Sequence, residues 1–206
     1  SLAYLDRWLA DYDRMGPLHC HLYWHVALWA LELGREAEAW HVVEQHIAPG
    51  ASWGPPLNTL PDMSSFLFRA ELAGVARRPD AWTTVARYAG ECFPKPGLVF
   101  ADVHAAMAAA MAGDTAGVAR IVEGSAGPAA EVVRELAAGF SAFADARWSE
   151  AAAHLGATLA RHEQIGGSRA QRDLIEDALV AALTKAGRAD EADRVEAGRR
   201  LRGHRH

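Results

Sequence analysis

The chain has 206 residues, half of them apolar and 23% charged, with a formal net charge of -5. A folded globular chain fits that composition, whereas a general nucleic-acid binder needs a Lys/Arg excess to meet phosphates. No apolar run reaches the roughly 18 residues of a membrane helix, and no signal peptide is visible. Two cysteines, Cys20 and Cys92, make no disulfide framework. A reducing, cytoplasmic location is therefore expected, with neither nucleic acid nor membrane as a partner. The sequence opens at Ser1 without an initiator Met, so an N-terminal portion is expected to precede it.

Apolar residues recur at helical spacing throughout, and strand-like runs are absent, which predicts an all-α chain. The first hairpin runs through "HLYWHVALWALELGREAEAW" and turns at Gly34. A linker is expected at 48–65, "APGASWGPPLNTLPDMSS", whose four prolines and two glycines oppose continuous helix. Its Trp53, Leu57 and Leu60 predict that it docks, with Trp53 shielded. A second hairpin turns at Gly74 and stops at "CFPKPG", residues 92–97. Three more turn at Gly113, Ala146 and Gly187, so the turns are spaced by 40, 39, 33 and 41 residues. A small residue suits each turn because a helix C-cap takes positive φ. Ala39, Ala151 and Ala192 each follow their turn by five residues, where the paired helices must approach closely. These units predict one domain, 1–206, of tetratricopeptide-like hairpin repeats forming a short solenoid. The basic end, "GRRLRGHRH", is read as a solvated helix end and frayed tail.

Polar residues fall in register within these hairpins. His25 lies nine residues before Gly34 and His104 nine before Gly113. Both sit on first helices, which line the concave side of a tetratricopeptide array. His21 stacks one turn from His25, beside Trp24. Asp102 precedes His104 by two residues, where a carboxylate also complements the helix dipole. Arg69 and Glu71 belong to the second unit. In "GGSRAQRD" Ser168 is an expected N-cap with Gln171 completing a capping box, followed by Arg172 and Asp173. No nucleophile elbow surrounds Ser168, which makes it a cap rather than a nucleophile. An HxxxH pair binds metal only with a third ligand, here His104 or Asp102. Without a ligand signature, no metal and no other cofactor is expected. His19, Cys20, His41, His46, His154 and His162 read as bystanders, exposed or hydrogen-bonded, and Trp24 and Trp29 as core.

The segments "HLYWHVALWALELG", "FRAELAGV", "ADVHAAMAA" and "IGGSRAQRDLIEDALVAALTKAGR" together resemble the tetratricopeptide repeat protein 38 family, from about His21 to Arg188. The resemblance implies a helical-repeat architecture and covers the later half of the family pattern. It maps the family's D-x-H element onto Asp102 and His104, its WH pair onto Trp24 and His25, and its AQRD onto Ala170 to Asp173. It supplies no activity.

Two functions compete on these residues. One is a polar concave cleft that binds a small molecule, a peptide or a carboxylate-bearing partner, with Arg69 and Arg172 as clamps for an anionic group. The other is an enzyme with His25 or His104 as general acid/base, Asp102 or Asp173 as the orienting carboxylate, and Arg172 stabilising negative charge. His21, Trp24, Arg69, Glu71, Ser168, Gln171 and Asp173 are the remaining candidates for contact with the ligand.

Overall fold

Five helices end in the same way. Gly34, Gly74, Gly113, Ala146 and Gly187 adopt φ of 71°, 88°, 75°, 57° and 76°. The N–H of each donates to the carbonyl three residues back at 3.0–3.1 Å. The following N–H donates five residues back, to Ala30, Ala70, Ala109, Ala142 and Leu183, at 2.8–2.9 Å. Each turn thereby satisfies two carbonyls that the helix end would otherwise orphan. All five of these residues lie in the left-handed region. Ala146 is the exception in chemistry, because a side chain in the left-handed region costs about 1–2 kcal/mol.

The computed structural model describes residues 2–9 and 11–203. Its helices are α1 (Leu2–Leu9), α2 (His19–Glu32), α3 (Glu36–His46), α4 (Pro56–Leu72), α5 (Pro79–Cys92), α6 (Val99–Ala112), α7 (Thr115–Gly124), α8 (Ala130–Ala144), α9 (Trp148–Thr158), α10 (Arg169–Lys185) and α11 (Ala189–Gly203). A 3-10 segment, Leu159–Ile165, follows α9. Among the described residues there is no strand, and no helix is long and apolar enough to cross a membrane. The chain divides into two compact units, Ser1–Pro94 and Lys95–His206.

In the first unit α2 packs on α1, α3 and α4, and α4 packs on α5. Its core holds Trp24, Ala27, Trp40, Val43, Leu60, Phe66, Phe68 and Trp82. In the second unit α6 packs on α7 and α8, α8 on α9, and α10 on α9 and α11. Met107, Ile121, Leu136, Phe140 and Leu155 fill that core. Ala39, Ala151 and Ala192 are all buried, as close helix approach requires.

The expected linker is half helix. Pro56 occupies the first turn of α4, where a missing N–H costs nothing. Pro61 lies inside α4 and removes the donor that Leu57 would otherwise meet. The helix persists because Leu60, Met63, Phe66 and Leu67 on either side of that defect are buried. Trp53 is 55% exposed, against the expectation that it is shielded. Leu57 and Leu60 belong to α4, so the remaining loop has little apolar surface with which to dock. The Arg14 guanidinium instead covers the Trp53 ring, 4.6 Å from its centroid. The second expected break holds, since α5 stops at Cys92 and α6 begins at Val99. Of the basic end, α11 runs through Gly203, and residues 204–206 lie outside the described residues, as does Ser1.

Candidate functional site

A buried carboxylate organises the polar residues of the first unit. Asp62 of α4 is 0% exposed, facing α2. His21 Nδ1–H donates to both of its oxygens at 3.1 Å. The Cys20 thiol reaches Oδ2 at 3.9 Å. A carboxylate taken out of water needs such partners, since its desolvation otherwise costs several kcal/mol. The pairing also fixes the His21 tautomer: with the proton on Nδ1, the neutral ring presents Nε2 as an acceptor or base. His21 remains 19% exposed, so the pair is reached from solvent on the imidazole side only.

Around this pair the other groups close ranks. His21 stacks on Trp24, centroids 5.1 Å apart and planes at 18°. His25 meets His21 edge-on at 4.9 Å and Trp24 at 4.8 Å. Arg69 of α4 lies over the Trp24 ring at 5.7 Å and donates to Ser65 Oγ. Burial first, then His21 and Arg69, hold the His25 imidazole down to about 4, so it is neutral at neutral pH. Burial and then Asp62 push the Cys20 thiol up to about 12, which leaves it unreactive as a nucleophile. Trp24 Nε1 is buried without a partner. Of the expected residues, His21, Trp24, His25 and Arg69 are therefore brought together. Glu71 is committed elsewhere: it accepts from Trp82 Nε1 at 2.5 Å and from Arg77 at 3.2 Å.

The second unit handles its histidine differently. His104 is 3% exposed, and its Nδ1–H donates to the Phe100 carbonyl at 2.7 Å. Together with Gln171 and Arg172 it lines a cavity of about 10 Å³, walled by Val103, Met107, Phe140 and Ile175. That volume holds about one water molecule and no organic ligand. Asp102 accepts from the Gly97 N–H at 2.9 Å. Burial raises its carboxyl above the usual range, while the Gly97 N–H and Arg120 oppose the rise. Ser168 caps α10, and Gln171 completes the expected capping box. Arg172 donates to the Gly167 carbonyl, and Asp173 accepts from Arg199 at 3.3 Å. Most of these side chains are occupied in holding local backbone.

Asp62 and Cys20 are what sequence reasoning missed. Asp62 fell inside the supposed linker. The signal was present: Pro-Pro followed by Leu57, Leu60, Met63 and Phe66 is a helix start with three-residue apolar spacing. Cys20 is no bystander, since it shares Asp62 with His21. His46 departs from its expected role as well. It is half-buried with Nδ1 unpartnered, and it stacks on Tyr23 at 3.6 Å. His41 is exposed, and His154 pairs with Glu135 at 2.8 Å, as bystanders do. Among the described residues no three His, Cys, Asp or Glu side chains are placed to hold a metal ion. No protein-family model matches the chain, and no solved structure matches it.

Proposed function

We propose that the first unit is a binding module that takes up a carboxylate-bearing small molecule or peptide end where α2 meets α4. The observation that carries this reading is the convergence of the Asp62-anchored His21, the neutral His25 and Arg69 on Trp24. Arg69 supplies the charge and a planar fork of donors suited to a carboxylate. His21 and His25 supply ring nitrogens for a second contact. Trp24, shut from solvent, sets the floor against which these groups are held. Within this reading the hairpins are tetratricopeptide-like repeats of a short solenoid, related to the tetratricopeptide repeat protein 38 family and working in the cytoplasm. The shared turn register and the pairing of successive helices support that relation.

Binding is favoured over catalysis by the state of the groups. A neutral His25 has no proton to give as an imidazolium acid at neutral pH, and Cys20 stays a thiol. One observation supports a second reading. A buried carboxylate on Nδ1 is how a histidine is held for general-base work through Nε2. Calorimetry with acetate, succinate and benzoate tests the first reading, comparing the parent with Arg69→Gln. Loss of the guanidinium should weaken binding by about tenfold or more, the size of one charge-assisted hydrogen bond. Absence of binding in the parent, or equal binding by Arg69→Gln, refutes it. Turnover of a carboxylate ester that is lost in Asp62→Asn, with binding retained, would move the assignment to the enzyme.

A further inference from the structure

A second cluster lies where α2 begins and α3 ends. His19, the first residue of α2, is 4% exposed, and His46 closes α3. Their rings are 5.3 Å apart, and the Tyr23 ring lies flat on His46 at 3.6 Å and 8°. Nδ1 of each imidazole is buried with no hydrogen-bond partner. A neutral imidazole tolerates this, because one nitrogen carries no proton. An imidazolium carries N–H on both nitrogens, so protonation here would bury a cationic donor with nothing to accept it.

The segment ahead of α2 leans on this pair. Arg14 donates to the Gln45 carbonyl at 3.2 Å and to the Ala51 carbonyl at 3.4 Å, tying residues 11–18 to the end of α3 and the loop beyond it. We propose that His19 and His46 form an acid-operated clasp, which holds residues 11–18 on the α2–α3 hairpin while both rings are neutral and releases them when the rings take up protons. Two imidazolium charges would then stand together and beside the Arg14 guanidinium, the group that makes the tie. This device is independent of the carboxylate-binding reading.

The groups facing the pair act in both directions. Against a charge on His19 stand burial and Arg14, with the N-terminal end of α2 adding to them, while Asp13 favours it. Against a charge on His46 stand burial, His19, Arg14 and His41, while its place at the C-terminal end of α3 favours one. The opposition prevails: His19 is held below the ordinary histidine value, and His46 is held to about 4. Release of the segment carries the Arg14 guanidinium away and opens both rings to water, so the released form binds more protons than the closed one below the ordinary value of 6.5. The clasp is therefore at full strength above the ordinary value and weakens as pH falls toward the depressed one.

Hydrogen exchange of residues 11–18, corrected for intrinsic rates and followed from about pH 7.5 to about pH 4, tests this, with peptides of α4 as the internal reference. Protection should fall by about tenfold or more on acidification and return on neutralisation, while α4 stays protected. A His19→Phe/His46→Phe variant keeps flat rings that cannot take up protons, and it should stay closed at the acid end. Should that variant fold poorly, the imidazole Cε1–H resonances of the parent give a second readout: both rings must titrate in step with the loss of protection. Protection retained at the acid end, opening of the double variant at the parent's pH, or titration of the rings without opening each overturns the proposal.

Discussion

His25 and His104 hold the same position, nine residues before a left-handed turn, yet their surroundings differ in kind. The α2 helix meets α4, which brings Asp62 against His21 and Arg69 over Trp24. The corresponding helix in the second unit, α6, meets α8, whose Phe140 joins a nearly filled apolar wall around His104. Register on a first helix sets where a histidine sits; the neighbouring helix sets what it can do. A polar partner helix leaves a reachable imidazole with a fixed tautomer. A more apolar one closes the imidazole in, with its Nδ1–H on its own helix backbone.

That contrast is broken most forcefully by substitution. His21→Ala strips a fully buried carboxylate of its imidazole and should cost about 2–4 kcal/mol in denaturant unfolding. His104→Leu removes the hydrogen bond to the Phe100 carbonyl and puts apolar volume beside Val103, Met107 and Phe140, and it should cost less, under about 2 kcal/mol. Equal costs would show that Asp62 does not depend on His21. A smaller effect sharpens the first region alone. His25 sits below its ordinary value of 6.5 when folded, so its contribution to stability is complete above that value and lost as pH falls toward about 4. His25→Gln should flatten the stability–pH slope over that window and leave stability near neutral pH almost unchanged. An unaltered slope would mean that His25 is not the neutral, crowded imidazole described. The smallest effect lies at the turns. Ala146→Gly relieves a side chain at φ 57°, though a freer unfolded chain offsets part of the relief. It should leave stability equal or higher by up to about 1 kcal/mol. A loss would show that the Ala146 methyl is needed.

The hairpins were legible in the sequence because a turn is a local event. Gly34, Gly74, Gly113 and Gly187 declare positive φ by residue type, and Ala146 was found from the spacing and the hairpin pattern around it. The capping box at Ser168 was legible for the same reason, as donor and acceptor lie three residues apart. The site was only half legible. His21 and His25 announce themselves by helical spacing, but their roles come from Asp62, 41 residues from His21, across a helix–helix contact. Prolines concealed that carboxylate: Pro56 is harmless at a helix start, and Pro61 is overridden by burial on either side. Which helix faces which is decided by packing, and no local pattern encodes it. For the same reason the His19–His46 contact, between residues 27 positions apart, was invisible in a reading of single helices.

The central claim is that the first unit, through His21, His25 and Arg69, holds the carboxylate-binding face, while His104 is closed off. Succinate titrated into protein with ¹³C-labelled histidine, observed at each Cε1–H, tests it directly. His21 and His25 should shift together and saturate, His104 should stay still, and Arg69→Gln should remove the response. Saturable shifts at His104 with His21 and His25 unmoved, or shifts that survive Arg69→Gln, would contradict it.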